Sequence, residues 1–177
     1  MEHATAGELA AGLDHVRSSP PGRGTLELIV RRPAENEREV LTEGELDTEV
    51  GLVGDRWHLG TSPTNDAQLT LINSRLAQLV ARSRDRWPLA GDQLYVDLDF
   101  SVANLPAGTR LAVGEAVIEV TPVPHTGCAK FTARFGSDAV KLVNKGVGRE
   151  LRLRGMNARV VIAGTARVGD PVVKLAS

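Results

Sequence analysis

Short apolar segments separated by glycine and proline turns dominate the second half of the chain and limit the folds open to it. Residues 94–98, 110–113 and 116–121 each have the length of one strand, and the runs Pro106-Ala-Gly108 and Gly114-Glu115 separate them. Several short strands joined by tight turns are typical of a barrel or sandwich. The pattern predicts a mostly β fold with a few short helices, built as a barrel.

Further strand candidates flank this region on both sides. They lie at residues 25–32 (ending at Pro33), 38–43, 68–72, 158–162, 166–168 and 169–174. The clearest helix is predicted after Asn73-Ser74, because Leu76, Leu79 and Val80 then share one face. Either Asn73 or Ser74 can cap it. We expect Pro88 to end this helical region. A second helix is expected after residue 137.

The length of 177 residues fits one domain. Residues 1–24 contain a proline- and glycine-rich break and are predicted to form an N-terminal arm, mobile or partly helical. Residues 25–177 are predicted to form the single barrel domain.

Composition and charge exclude several classes of function. The formal net charge of −1 gives no general attraction to nucleic acid or to an anionic membrane. No signal-peptide pattern is present, and the apolar runs are far shorter than the roughly 20 residues that span a bilayer. We therefore expect a cytoplasmic protein without nucleic-acid or membrane partners.

Cys128 is the single cysteine, within Pro122-Val-Pro-His-Thr-Gly-Cys-Ala-Lys-Phe131. A lone cysteine forms neither an intramolecular disulfide nor a multi-thiolate metal site. Nearby His125, Lys130 and Arg134 would favour its thiolate, which predicts a reactive or metal-ligating thiol. The alternative is an inert, buried cysteine that acts as a small hydrophobic residue.

Four segments together resemble the MOSC domain family, named for the C-terminal domain of molybdenum cofactor sulfurase and found also as small stand-alone bacterial proteins. They are Gly51-Leu-Val-Gly-Asp-Arg-Trp-His58, residues 105–114 running into 116–121, the cysteine loop to Phe131, and residues 155–160 with 164–170. The resemblance covers most of residues 51–173. It implies a mostly antiparallel β-barrel and an association with the molybdenum cofactor, a pterin dithiolene that carries a phosphate.

The resemblance also implies roles for the cysteine loop. In the family the loop cysteine carries a persulfide sulfur or ligates molybdenum, and some members reduce N-hydroxylated substrates. Cys128 matches that position, as catalytic residue and metal ligand. His125 is a candidate catalytic proton donor, with a loop histidine bonded to backbone as the alternative.

Basic residues are candidates for binding the cofactor, with solvated surface charge as the competing explanation. Lys130 and Arg134 share a face if a helix begins at Ala129, and Arg152 and Arg154 share a face if their segment is a strand. Arg56 and His58 follow glycines whose flexibility lets backbone amides approach an anion. The candidate cofactor-binding set is Arg56, His58, Lys130, Arg134, Arg152 and Arg154.

Three functions remain open from the sequence. The first is an oxidoreductase that reduces small N-hydroxylated substrates and takes electrons from a separate electron-transfer protein, since no pyridoxal phosphate, flavin, haem or iron–sulfur site is expected. The second is a sulfur carrier that receives sulfane sulfur from a cysteine desulfurase as a persulfide on Cys128 and passes it on in the biosynthesis of a metal–sulfur cofactor. The third is a non-catalytic binding barrel, because Gly127 stands where many relatives have proline and Gln93 where relatives often have asparagine.

Overall fold

Seven strands close into a barrel in the computed structural model, which describes residues 1–60 and 64–177. Around the barrel, β1 pairs with β11, followed by β7, β8, β9, β5 and β6, which pairs again with β1. A separate small sheet has the order β10-β3-β4, and β2 pairs with β1. The strands are β1 Arg23–Arg31, β2 Glu39–Leu41, β3 Glu43–Asp47, β4 Gly51–Leu52, β5 Leu69–Asn73, β6 Leu94–Asp97, β7 Arg110–Val113, β8 Ala116–Val120, β9 Met156–Ile162, β10 Gly164–Arg167 and β11 Pro171–Lys174.

All pairs around the barrel are antiparallel except β5 with β6, where Leu71 pairs with Leu94 in parallel register. Parallel neighbours need a crossover connection, and here a helix forms part of it. The barrel closes where Arg23 pairs with Val173. The predicted mostly antiparallel barrel with a few short helices is confirmed.

The barrel interior is filled by alternate residues of its strands. In β8, Ala116, Ile118 and Val120 are buried while the residues between them are half-buried. This alternation follows from the period of two along a strand. Leu46 and Leu52 of the small sheet pack into the same core, so that sheet is part of the barrel's packing rather than a separate layer.

Helices cover one side of the barrel and enclose a second hydrophobic core. In the predicted clearest helix, Asn73 caps the first turn, as expected, by accepting hydrogen bonds from the amides of Arg75 and Leu76. The helix ends at Ala81, and its C-cap Arg82 has a left-handed φ of 67°. The prediction that Pro88 ends this helical region is wrong, because Pro88 lies inside a following 3₁₀ helix. The helices are α1 Ala6–Arg17, α2 Ser74–Ala81, α3 Ala129–Phe135, α4 Ser137–Asn144 and α5 Val147–Glu150, with 3₁₀ helices at Arg56–Leu59, Asn65–Ala67 and Arg84–Ala90.

Helix α1 lies within the N-terminal arm and packs against α2 and α4. Thr5 and Glu8 form a capping box at its start, which satisfies amides that a helix end leaves without partners. Leu9 and Val16 are buried in the second core. In the described parts of the chain, 1–60 and 64–177, no helix has the length and apolar character needed to cross a membrane.

Candidate functional site

A cleft of about 690 Å³ lies at one end of the barrel, where several strand ends and α3 meet. Arg32 follows β1, Gly91 precedes β6, His125 follows β8 and Arg154 precedes β9. Because an antiparallel pair brings the end of one strand beside the start of the next, these positions converge. The cleft is also lined by Glu35, Glu37, Arg38, Arg56, Trp57, Cys128, Lys130, Phe131 and Arg134.

Cys128 is exposed in this cleft and occupies the N-cap position of α3. The pKa of its thiol is lowered, chiefly by the nearby backbone amide of Phe131 in the first turn of α3, with partial burial opposing the shift. The amide of Lys130 and the positive charge of Arg154 lower the pKa further. A thiol held in this way has more thiolate character at neutral pH than an ordinary cysteine.

A buried ionic network stands behind the cysteine. The carboxylate of Asp92 is fully buried and lies 2.8 Å from Nη1 of Arg154 and 3.0 Å from Nε2 of His125. Burial alone would raise the pKa of Asp92, but Arg154 and His125 outweigh burial and lower it. The carboxylate is therefore ionised and fixes both partners, since a charge in this position is stable only when paired.

Arg154 is held on several sides. Its Nη2 donates to the carbonyl of Ala90 at 2.9 Å, and its guanidinium carbon lies 5.0 Å from the centre of the Phe131 ring. Its buried Nε has no hydrogen-bond partner among the described residues. Arg154 is thus a cation fixed in position, and its Nε–H donor has no acceptor among the described residues.

On the opposite wall, Arg32 binds the buried carboxylate of Asp55 with two contacts of 3.0 and 2.8 Å. Asp55 also accepts a hydrogen bond from the amide of Trp57. Burial lowers the pKa of Arg32, but Asp55 more than offsets this and the pKa is raised overall. The glycine-punctuated segment before His58 is therefore a structural turn organised by Asp55.

Two further arginines meet beside Gly91. Arg38 donates from Nε to the carbonyl of Pro88 at 2.7 Å, and Arg134 donates from Nη1 to the carbonyl of Leu89 at 2.9 Å. Burial, followed by the charge of Arg134, lowers the pKa of Arg38. Both guanidinium groups are bound to carbonyl dipoles, and two cations so close together attract an anion.

The profile of the MOSC domain matches residues 64–173, more than half of the chain. The chain belongs to the MOSC domain family. No curated protein matches the sequence.

Solved structures share the fold of this MOSC protein at low sequence identity. YuaD from Bacillus subtilis is 15% identical with a TM-score of 0.63, over 88% of this chain and 97% of that one. YiiM from Escherichia coli is 22% identical with a TM-score of 0.59, over 89% of this chain and 71% of that one. A hypothetical protein is 21% identical with a TM-score of 0.63, over 88% and 68%.

Most of the residues singled out in the MOSC sequence line the same cleft. They are Arg56, His125, Cys128, Lys130, Arg134 and Arg154. The helix expected to begin at Ala129 is confirmed, and Lys130 reaches across to Glu35 at 3.5 Å. Both side chains of that pair are exposed, so the contact contributes little stability.

Two of the candidate cofactor-binding residues lie elsewhere. His58 is exposed on its 3₁₀ helix and does not line the cleft. Arg152 lies in a turn with a φ of 47° and lines a second cleft, where it donates to the carbonyls of Phe100 and Leu105. The strand that would place Arg152 and Arg154 on one face is not formed, because β9 begins only at Met156.

The two departures from the family pattern have structural reasons. The amide of Gly127 donates to Oδ1 of Asn144 at 2.7 Å, and its carbonyl accepts from Nδ2 of Asn144 at 3.0 Å. A proline there would lack the donor, and a Cβ would lie 2.9 Å from Val140. Gln93 is buried and accepts hydrogen bonds from the amide and hydroxyl of Thr70 at 2.8 and 2.6 Å, outside the cleft lining.

Sequence reasoning missed Asp92, Arg32, Arg38 and Asn144. The sequence holds one usable signal for Asp92, which is a charged residue between Gly91 and an apolar strand. In the structure this position is buried. The role of Arg38 depends on the carbonyl of Pro88, 50 residues away. No local pattern identifies such a partner.

Proposed function

We propose that this MOSC protein binds the molybdenum cofactor in the cleft through Cys128 and reduces small N-hydroxylated compounds. The MOSC family is associated with molybdenum cofactor binding. The observation that carries the proposal is the exposed Cys128 thiol with its lowered pKa, which lines a cleft with several cationic side chains.

The donor chemistry of the cleft fits the cofactor. Molybdenum accepts soft thiolate ligands, and Cys128 offers one. In residues 1–60 and 64–177 no group of three or more His, Cys, Asp or Glu side chains is arranged to hold a metal ion. The cofactor's dithiolene would supply the other sulfur ligands, so a single cysteine is a sufficient contribution from the protein.

The arginine pair beside Gly91 fits the phosphate of the cofactor. Arg38 and Arg134 are oriented by backbone carbonyls, and a Cβ built on Gly91 would lie 3.9 and 3.8 Å from their respective guanidinium nitrogens. Arginine is suited to phosphate because its planar fork donates two parallel hydrogen bonds. We assign this arginine pair to binding the phosphate, and we assign Lys130 to the solvent-exposed side of the phosphate.

His125 is the proton donor in this proposal. When Nε2 donates to the Asp92 carboxylate, the imidazole is oriented and Nδ1 is the ring nitrogen that takes up and releases a proton. His125, Cys128 and Arg154 all line the cleft, which supports His125 as the proton donor and Arg154 as a fixed positive charge.

The bound cofactor would supply the two-electron chemistry that cleaves the N–O bond. For a hydroxylamine the balance is one substrate, two electrons and two protons giving one amine and one water. The electrons come from a separate electron-transfer protein, and His125 delivers a proton to the leaving oxygen.

The same thiol supports a second candidate function. An exposed thiolate also accepts a sulfane sulfur as a persulfide from a cysteine desulfurase. This sulfur-carrier function needs Cys128 but not the arginine pair. The third candidate is a non-catalytic binding barrel, which was suggested by the unusual residues Gly127 and Gln93. Both residues have packing or hydrogen-bonding roles, so they no longer favour it.

Molybdenum content tests the proposal. The wild-type protein and Cys128→Ser are produced in a host that makes the cofactor and are analysed by elemental mass spectrometry, with Thr126→Ser as a control in the same loop. We expect near-stoichiometric molybdenum in the wild type and the control, and loss of metal and of amidoxime reduction in Cys128→Ser.

Two outcomes would contradict the cofactor proposal. Cys128→Ser that retains metal and activity would remove the cysteine from the mechanism. A protein without metal that gains the mass of one sulfur on Cys128 under desulfurase turnover would favour the sulfur carrier.

A further inference from the structure

A second cleft of about 450 Å³ lies behind the loop that carries His125. His125 and Arg154 line both clefts and so form the wall between them. Much of the second cleft is apolar, with Val102, Val123 and Met156 among its lining residues. Its volume suits one small organic molecule.

The charged residues of this second cleft all have the same sign. Arg149, Arg152 and Arg154 line it, and among the described residues no aspartate or glutamate does. Arg149 donates to the carbonyl of Asn144 at 2.6 Å, while Arg154 is paired with Asp92 on its other side. A small apolar cleft with cations and no lining carboxylate is a site for an organic anion.

Arg152 is the most informative of the three arginines. It is half-buried, and its pKa is lowered by burial with no carboxylate to offset that cost. Its protein partners are the carbonyls of Phe100 and Leu105, both bound through Nη1. Nη2 and Nε therefore remain as donors without a protein acceptor in the described part of the chain.

The backbone of Arg152 is also strained. Its φ of 47° lies in the left-handed region, which a residue with a long side chain rarely adopts. Strained residues cluster at ligand sites, where the surrounding structure over-determines them. Arg154, in the wall of the same cleft, has a buried Nε without a partner. The left-handed backbone and half-buried guanidinium of Arg152 therefore lie in the same cleft wall as the unpartnered Nε of Arg154.

We propose that the second cleft binds a small monocarboxylate with an apolar or aromatic body, with the carboxylate on Arg152 and the body against Val123 and Met156. The ligand would lie against the face of His125 and Arg154 that is turned away from Cys128. This site goes beyond the proposed function, because it needs neither the cofactor nor the thiol.

Benzoate is the probe, and neutral benzamide, which has nearly the same shape, is its matched control. Binding to the full chain is measured by isothermal titration calorimetry, and the site is located by amide chemical shifts in two-dimensional NMR. We expect benzoate to bind at least tenfold more tightly than benzamide and to shift the amides of Thr126, Arg149 and Arg152. Both results are expected to be the same in Cys128→Ser, whatever its molybdenum content.

Arg152→Gln removes the charge and is expected to weaken benzoate at least tenfold while leaving benzamide unchanged. Because Arg152 also binds two carbonyls, the fold of the variant is checked by circular dichroism, and Arg149→Gln provides a more exposed second variant with a smaller loss. Equal affinity for benzoate and benzamide in the wild type would overturn the proposal without any variant. So would shifts confined to Glu35, Lys130 and Arg134, which would place benzoate in the first cleft.

Discussion

At the scale of single residues, Cys128 owes its character mainly to groups that carry no full charge. The amide of Phe131 is the largest cause of its lowered pKa and Arg154 contributes less. Backbone amides at the start of a helix act as fixed partial charges, and they stay in place only while the turn is folded. The thiol is therefore activated by local folding rather than by a neighbouring base.

Alkylation of Cys128 should show this dependence. We expect the rate of reaction with iodoacetamide to rise with pH around a midpoint below the value of about 8.5 for an unperturbed cysteine. In urea-unfolded protein the same thiol should titrate near the ordinary value. Cys128→Ser provides the blank, since the chain has one cysteine. Equal midpoints for the folded and unfolded chains would show that the α3 turn does not activate the thiol.

Cys128 was predictable because its chemistry is visible in one residue type and its loop. Asp92 was not predictable, because its role depends on contacts with His125 and Arg154. Only the closed barrel brings these two side chains within 3.0 Å of its carboxylate. For residues 149–154 the sequence left helix and strand open, and only a strand would put Arg152 and Arg154 on one face. The segment instead turns at the left-handed Arg152, and the strand starts later.

At the scale of elements, helix α1 is joined to the rest of the protein by its buried face. Leu9 is 1% exposed and packs in the core beneath α2 and α4. Arg82, at the end of α2, contacts Glu8 at 3.2 Å on the exposed side. The sequence predicted partial helix at most, because the stabilising contacts come from residues more than 60 positions away.

Leu9→Ala tests the docking of α1. Truncating a fully buried leucine should lower the free energy of unfolding by about 3 kcal/mol, through lost burial and the cavity left behind. The matched control is Leu59→Ala, because Leu59 is 70% exposed and should change stability by no more than about 0.5 kcal/mol. Urea denaturation measures both. If residues 1–24 formed a mobile arm, both variants would show the same small change in the free energy of unfolding.

Strands were predicted more reliably than their pairing. Turn glycines and prolines marked the bounds of β7 and β8 closely. The parallel pairing of β5 with β6 has no signature in either strand. It depends on where the chain returns after α2 and the 3₁₀ helix at Arg84–Ala90, and therefore on tertiary packing.

At the scale of the whole molecule, the Asp92 network joins three parts of the barrel end. Asp92 precedes β6, His125 follows β8 and Arg154 precedes β9. The network is buried, so removing one partner leaves another charge without compensation. It therefore links the stability of the barrel to the geometry of the candidate site.

Asp92→Asn should lower the free energy of unfolding by about 3 kcal/mol at pH 7, because Arg154 then stays buried without its counter-ion. The folded-state pKa of Asp92 lies below its unfolded value of about 3.9. The wild type should thus keep this contribution above about pH 4 and lose it as the pH falls through the folded-state pKa. Denaturant unfolding at several pH values measures the effect.

The variant should show a shallower loss of stability in acid than the wild type. Asp14→Asn, at an exposed position, is the control and should follow the wild-type curve. A parallel acid response in wild type and Asp92→Asn would mean that other carboxyl groups dominate acid unfolding.

The pairing of Arg23 with Val173 also determines when the protein can finish folding during its synthesis. While the nascent chain is still on the ribosome, β1 has no closing partner, and the backbone donors and acceptors that later face β11 stay unpaired. Such an open edge invites pairing with another chain. Fragments that end before residue 171 lack β11 and should therefore need a chaperone, and the barrel should fold slowly because its closing contact joins residues far apart in the sequence.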